Sequence, residues 1–167
     1  MIPWLAWIFV APLLVLLDGF LLPRLPLRCD LAAALVLCIG FACRGASLPG
    51  LLFALALARA MLTGGGLAAQ YLALALPVAA MRPLRAVFDE GSWRLRALLA
   101  PGLAAAIPRL LELFAGLAGA PVDPLPIETR DLLAAVVVVP LLAAVFERVP
   151  PLSAFLVRAR RRARGEA

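Results

Sequence analysis

The chain has 167 residues, of which 65% are apolar, with a mean hydropathy of +1.03 and a formal net charge of +6. A soluble domain is roughly 45–50% apolar, and a domain of this size leaves about a third of its surface in water, so an ordinary soluble fold is excluded. The apolar stretches are continuous rather than alternating, which favours membrane-spanning helices over a β-barrel. We therefore predict an all-α integral membrane protein, a bundle of about six transmembrane helices.

Six apolar stretches follow one another along the chain, at residues 2–22, 31–43, 46–62, 67–81, 98–117 and 132–146. Trp4 and Trp7 stand near the start of the first, where an interfacial aromatic belt would place them. Pro83 is expected to follow the fourth helix. Several stretches are shorter than the ~20 residues that a full crossing takes. The second crosses only if it includes residues 25–30 or if the bilayer is locally thinned; the alternative is a re-entrant hairpin of the second and third stretches.

Arginine is the chain's basic residue type and is unevenly distributed over the predicted connections. Six crossings with an internal C-terminus place eleven arginines on the cytoplasmic side and four on the other, with Arg109 inside a stretch. Basic residues accumulate in cytoplasmic connections, so we predict that both termini lie in the cytoplasm. Residues 1–157 form one transmembrane domain, and residues 158–167 form a short basic cytoplasmic tail. The positive charge beside apolar stretches indicates contact with lipid headgroups rather than nucleic acid.

The residue types that most catalytic sites require are scarce in this chain. It has no His, and its three cysteines, Cys29, Cys38 and Cys43, form no Cys-x-x-Cys pair. The common zinc sites and a Ser-His-Asp triad therefore cannot be assembled. Gly64-Gly65-Gly66 is not followed by the Lys and the Ser or Thr of a phosphate loop. We predict no catalytic residues, no bound metal and no cofactor.

Charged side chains at membrane depth are the strongest functional candidates, because they are costly in lipid and usually face partners or a cavity. At about 1.5 Å of rise per residue, five polar residues fall mainly in the outer half of the predicted bundle. We hypothesise that they converge there, neutralising one another or lining a small polar cavity, with Arg109 and Glu112 paired one helical turn apart. The alternative is that Asp18 and Arg59 snorkel at the ends of their helices. The predicted intramembrane cluster consists of Asp18, Arg59, Gln70, Arg109 and Glu112.

A second group of charges lies on the predicted cytoplasmic side. The connection before the fifth stretch carries both signs, and it is either a solvated loop at the headgroups or a docking site for a cytoplasmic partner. The basic tail is interpreted as an anchor to lipid headgroups. The candidate partner or lipid contacts are Arg82, Arg85, Asp89, Glu90, Arg94, Arg96, Arg158, Arg160, Arg161, Arg162 and Arg164.

An ordered series of short motifs runs through residues 30–71. Asp30-Leu31 opens an apolar stretch, Gly45 follows it, Gly50-Leu51 starts the next helix, and Gly64-Gly65-Gly66 precedes the fourth. This series resembles the central region of the rod shape-determining protein MreD family, which has the same elements in the same order. The length of the chain, the number of predicted spans and the short basic C-terminus also fit that family.

The resemblance implies a non-catalytic inner-membrane component of the cell-elongation machinery. Such a protein would bind a bitopic partner of the MreC type and couple the MreB cytoskeleton to peptidoglycan synthases. The resemblance also implies kinship in fold with the substrate-binding components of energy-coupling-factor vitamin transporters, which are six-helix bundles. Family members often carry an Asp near the end of the third span, where this chain has Ala58-Arg59, so any role of that Asp is absent or reversed in charge here.

Two other function classes stay open. A vitamin-type carrier subunit of a transporter needs several hydrogen-bonding side chains in its pocket, and this chain has few Ser, Thr, Asn or Gln residues. A membrane enzyme would have to use Asp18 or Glu112. We therefore predict that the partners are membrane lipids and a membrane protein of the MreC type within the elongation complex, and that nucleic acid is not a partner.

Overall fold

The computed structural model describes residues 2–20, 31–42, 47–63, 66–87, 93–119 and 128–148, and within these ranges every regular element is an α-helix. Leu and Ala, which dominate the sequence, are strong helix formers. The helices are α1 (Ile2–Phe20), α2 (Leu31–Ala42), α3 (Ser47–Thr63), α4 (Leu67–Val87), α5 (Trp93–Leu117) and α6 (Thr129–Arg148). The prediction of an all-helical chain is confirmed for this part of the sequence.

Within the described ranges, three helices are long and apolar enough to cross a membrane. They are α5, α6 and the Leu67–Leu84 part of α4. The other three contain shorter apolar segments, Trp7–Asp18, Leu31–Phe41 and Ser47–Thr63. By length and composition, the chain is therefore compatible with a membrane protein.

α4 and α5 extend beyond the apolar stretches that predict them. α4 continues through Arg82 and Pro83 to Val87, and α5 begins at Trp93 rather than at residue 98. The expectation that Pro83 follows the fourth helix is wrong, because the helix continues through it. An apolar stretch marks the part of a helix that must avoid water, whereas Arg is itself a good helix former and need not end the helix.

α2 is the central helix of the bundle. It packs against α1, α4, α5 and α6, while α1, α3, α4, α5 and α6 contact one another in that order around it. All residues from Leu31 to Phe41 are buried. A helix that is apolar on every side is expected to be enclosed by other helices. The small side chains of Ala32, Ala33 and Ala34 allow those neighbours to approach closely.

The outside of the bundle carries large apolar side chains, and α6 shows the pattern most clearly. Its buried face includes the small residues Ala135 and Ala143. Its outward face carries larger ones at four-residue intervals, Leu133, Val137, Leu141 and Val145. The helices α1, α3, α4 and α5 also expose large apolar side chains, with Phe9 of α1 77% exposed. Soluble proteins rarely expose such extensive apolar surface, so this exterior is compatible with contact with lipid.

Trp7 does not lie in an interfacial aromatic belt, which corrects the expectation from sequence. Its side chain is fully buried between α1 and α3, and its indole Nε1–H donates a hydrogen bond to the carbonyl oxygen of Leu51 at 3.3 Å. Proximity to a chain end says nothing about which way a side chain faces, and a buried indole needs an acceptor for its N–H group. The side chain of Trp4 is outside the described residues.

Replacing Ala33 by Leu tests the central position of α2. Ala33 is fully buried, and adding three carbon atoms to a packed interior lowers the free energy of unfolding by about 1–3 kcal/mol. We expect a lower midpoint temperature of thermal unfolding in detergent for Ala33→Leu. Leu133→Ala, at an outward position of α6, is the control and should leave the midpoint nearly unchanged. An unchanged midpoint for Ala33→Leu would contradict the enclosure of α2.

Candidate functional site

One end of the bundle gathers polar side chains from three helices. α1 and α3 finish there while α2 and α4 begin there, since Asp18 contacts Leu31 and Arg59 contacts Gln70. We call this end the network end, and the other end of the bundle the opposite end. The residues that we call the polar network are Asp18, Arg59, Thr63 and Gln70.

Arg59, Thr63 and Gln70 form a closed circuit of hydrogen bonds. Arg59 Nε donates to Gln70 Oε1 at 3.1 Å, and Gln70 Nε2 donates to Thr63 Oγ1 at 3.2 Å. Thr63 Oγ1 in turn donates to the carbonyl oxygen of Arg59 at 2.7 Å. Arg59 and Gln70 are both buried. Each of these hydrogen bonds is important for stability, because a buried polar group without a partner destabilises the fold.

The short connection between α3 and α4 brings these three side chains together. Gly66 has a φ of 78°, in the left-handed region that glycine adopts without strain. Its carbonyl oxygen accepts a hydrogen bond from the backbone N–H of Gln70 at 3.1 Å. Gln70 therefore lies in the first turn of α4, directly across from the last turn of α3, where Arg59 and Thr63 stand.

Asp18 connects α1 to the start of the central helix. Its Oδ1 accepts a hydrogen bond from the backbone N–H of Leu31 at 3.0 Å. The first N–H groups of a helix have no partner within the helix, and a carboxylate there also interacts favourably with the helix dipole. Asp18 thus acts like an N-cap residue, although it belongs to another helix: it provides an acceptor for a backbone N–H at the start of α2. An N-cap interaction contributes about 0.5–2 kcal/mol to stability.

A small cavity lies beside Asp18 and Arg59, between α1, α2 and α3. Its volume is about 10 Å³, which is about what one water molecule needs. The two charged side chains share its wall with the apolar residues Leu14, Val15, Leu31, Ala32, Leu35 and Leu55. The structure therefore brings Asp18, Arg59 and Gln70 together at one end of the bundle, as their predicted depths suggest.

Arg109 and Glu112 form the ion pair that their spacing predicts, but away from the network. Arg109 Nη1 lies 2.9 Å from Glu112 Oε2, and the side chain of Arg109 is 61% exposed against 21% for Glu112. Both residues belong to α5, and neither lines the cavity beside Asp18. The expected convergence of all five residues is therefore not found among the described contacts: three converge, and Arg109 faces outward.

Asp131 is a buried acidic residue of the network end that the sequence interpretation missed. It lies in the first turn of α6 and is 8% exposed. Its backbone N–H donates to the carbonyl oxygen of Glu128 at 3.0 Å, and Arg130 pairs with Glu128 at 2.7 Å. The signal was available, since Asp131 precedes the sixth apolar stretch directly. Thr63, one helical turn after Arg59, was a similar signal for the network.

Arg96 links three helices at the opposite end. Its Nη1 lies 2.7 Å from Glu147 Oε1 of α6, and the two side chains are only 12% and 22% exposed. Its guanidinium also lies 5.9 Å from the centre of the Phe41 ring at the end of α2, within the range of a cation–π interaction. The structure thus places Arg96, a predicted lipid or partner contact, inside the bundle. No local sequence pattern indicates this contact, because Glu147 is distant from Arg96 along the chain.

The other predicted cytoplasmic contacts are placed only in part. Arg82 in α4 and Arg94 in α5 are exposed, and Arg85 lies in the last turn of α4. These positions are at the opposite end. The remaining predicted contacts are outside the described residues: Asp89, Glu90, Arg158, Arg160, Arg161, Arg162 and Arg164.

The geometry of the network is that of a structural clamp between helices. The Thr63 hydroxyl donates its proton to the backbone carbonyl oxygen of Arg59, whereas a nucleophilic hydroxyl donates its proton to a base. Asp18 is engaged by the start of α2. Among the described residues, no group of three or more His, Cys, Asp or Glu side chains could hold a metal ion. The arrangement joins α1, α2, α3 and α4 at one end and leaves room for about one water molecule.

In comparisons with protein-family models, curated proteins and solved structures, the chain finds no match.

Gln70→Leu tests the hydrogen-bond circuit. The substitution removes the acceptor of the Arg59 Nε–H group in a buried site, so we expect the free energy of unfolding to fall by about 1–3 kcal/mol. Gln70→Glu keeps an acceptor oxygen and should destabilise less. Thermal unfolding in detergent measures both variants. Equal midpoints for Gln70→Leu and the unaltered protein would show that the circuit contributes nothing to stability.

Arg96→Leu and Glu147→Leu test the ion pair at the opposite end. Each single substitution leaves a largely buried charge without this partner, which destabilises by about 3–5 kcal/mol, whereas replacing both with apolar residues is often neutral. We therefore expect the double variant to unfold at a higher temperature than either single variant. Effects of the two substitutions that simply add would argue against direct coupling between these side chains.

Proposed function

We propose that the chain is a six-span protein of the bacterial inner membrane, with the network end facing outward and both termini in the cytoplasm. Three observations support this proposal. The helices around α2 expose large apolar side chains, three of the described helices are long enough to cross a membrane, and Arg82, Arg85, Arg94 and Arg148 lie in the helix segments of the opposite end. The shorter helices α2 and α3 then cross where neighbours enclose them or where the bilayer is thin.

Within that membrane, the protein serves as a non-catalytic component of the cell-elongation machinery. It binds a bitopic partner of the MreC type and helps to couple the cytoskeleton to peptidoglycan synthesis. The resemblance of residues 30–71 to the MreD family carries this proposal. That segment contains α2, α3 and the start of α4, so the resemblance covers the centre of the bundle and the Arg59–Gln70 contact.

The chain departs from the family at Arg59, in the polar network. Arg59 stands where family members often carry an Asp, and a carboxylate, that of Asp18 on α1, lines the cavity beside it. Opposite charges on the wall of a low-dielectric cavity attract each other strongly. The network end of this chain therefore carries one positive and one negative side chain on the wall of the same cavity, and any role of the family's Asp is absent or reversed in charge here.

The cavity beside Asp18 and Arg59 is too small for a vitamin-sized ligand. A pocket for a small organic ligand occupies roughly 300–1,000 Å³, whereas the cavity beside Asp18 and Arg59 has about 10 Å³. Of the residues named for an alternative enzymatic role, Asp18 accepts a hydrogen bond from the N–H of Leu31, and Glu112 pairs with Arg109 through Oε2. The other carboxylate oxygen of Glu112, Oε1, is buried and has no hydrogen-bond partner among the described residues.

Co-purification tests the proposed function. An affinity-tagged chain is expressed at native level in the bacterium that encodes it and solubilised in mild detergent. We expect an MreC-type protein to be recovered with it, and we expect depletion of the chain to turn rod-shaped cells round. The matched control is the Leu133→Ala variant, which changes an outward residue of α6 and should keep both properties.

Two other results would contradict this proposed function and support the carrier function instead. Recovery of an ATP-binding transport module in place of the MreC-type protein, with no change of cell shape on depletion, would favour the carrier function. A bound vitamin in the purified protein would do the same.

A further inference from the structure

Arg109 is exposed at a depth where lipid would surround it. α5 has 25 residues, so it is about 37 Å long at about 1.5 Å per residue. That exceeds the thickness of the hydrocarbon layer, about 30 Å. Arg109 lies about 12 Å from the Leu117 end of the helix, which puts its backbone about 8 Å inside the hydrocarbon. A charge at such a depth usually faces a partner rather than lipid.

The residues in line with Arg109 form a regular face of α5. Leu98, Gly102, Arg109 and Gly116 are exposed, and a Cβ atom added to Gly102 or Gly116 would meet no atom within 4 Å. With the half-buried Ala105 and Glu112, their spacing alternates between four and three residues. This is the heptad spacing by which two helices pack along a common seam. We call this set the α5 face: Leu98, Gly102, Ala105, Arg109, Glu112 and Gly116.

The α5 face is complementary to itself. It carries one positive and one negative side chain a single turn apart, and small residues on both sides of them allow two backbones to approach closely. When two identical helices run parallel about a two-fold axis, residue i of one meets residue j of the other and the reverse holds as well. Glu112 of the other copy then lies about 4.5 Å along the axis from Arg109, within reach of the long arginine side chain.

We propose that two copies of this chain pair through the α5 face, with Arg109 of each copy bonded to Glu112 of the other. Charge balance favours a second copy over other occupants. The Arg109–Glu112 pair is neutral, so a partner helix with a single acidic residue would leave a net charge in the hydrocarbon. A second copy brings a second neutral pair. This inference requires that α5 crosses the membrane and holds whichever machinery the protein serves.

The test measures energy transfer between donor-labelled and acceptor-labelled chains in liposomes at low protein-to-lipid ratio. The unaltered protein should show efficient transfer. Arg109→Glu makes the α5 face wholly acidic, and Glu112→Arg makes it wholly basic. Each variant alone should pair about tenfold more weakly or worse, because like charges then face each other. A mixture of the two variants should recover the transfer, since each face meets its opposite.

The mixed sample separates pairing between copies from the ion pair within α5. Neither variant can restore the pair inside its own helix, so recovery in the mixture requires contact between chains. Gly102→Ile provides a second readout that adds no charge. It should block the approach of the backbones and weaken pairing, whereas Ala80→Leu, at an exposed position of α4, should not.

The proposal is overturned if the unaltered protein shows no energy transfer at low protein-to-lipid ratio, which is the result expected if Arg109 reaches lipid headgroups instead. It is also overturned if both single-charge variants pair as well as the unaltered protein. If the charge variants fail to insert into the membrane, the Gly102→Ile variant tests the proposal. Pairing of Gly102→Ile as strong as that of the unaltered protein would contradict it.

Discussion

The enclosure of α2 is the constraint on which the rest of the bundle depends. Every side chain from Leu31 to Phe41 is buried, so α2 has no face left for water or lipid. Its first backbone N–H groups are then cut off from solvent, and an unpaired buried N–H group is costly. Asp18 satisfies the N–H of Leu31 from another helix. The end of α1 is therefore tied to the start of α2.

The side chains of the helices around α2 are arranged accordingly, by size in α6 and by charge at the two ends of the bundle. In α6, the small residues Ala135 and Ala143 face inward and the large apolar residue Leu133 faces outward. Charged side chains that turn inward lie near the two ends of the bundle. Arg59 meets Gln70 at the network end, and Arg96 meets Glu147 at the opposite end. Each contact joins helices that would otherwise be held together by apolar packing alone.

The sequence allowed the helices and part of the network to be predicted. Continuous apolar stretches located the six described helices, because such stretches must satisfy their backbone internally when water is absent. Depth along the helices led to the prediction that five polar residues converge, and three of them, Asp18, Arg59 and Gln70, lie at the network end. The depth of a residue in the membrane does not determine the side of the helix on which that residue lies, however. For that reason the outward direction of Arg109 could not be predicted.

The contacts that sequence reasoning misplaced depend on long-range packing. Trp7 and Arg96 were expected at the membrane surface, and both are turned inward, toward Leu51 and Glu147 respectively. The partners are separated along the chain by 44 residues in the first case. No local pattern links such residues, and only the arrangement of α1 beside α3, and of α5 beside α6, brings them together.

The side of the membrane on which each helix end lies tests the six-span arrangement most directly. Single cysteines are introduced in a chain whose own cysteines have been replaced, at Ala68 and Glu128 near the network end and at Pro49, Arg94 and Arg148 near the opposite end. A membrane-impermeant thiol reagent is added to intact spheroplasts. Six crossings predict labelling at Ala68 and Glu128 before permeabilisation and at the other three only afterwards. Labelling of positions from both ends on the same side would contradict the six-span bundle.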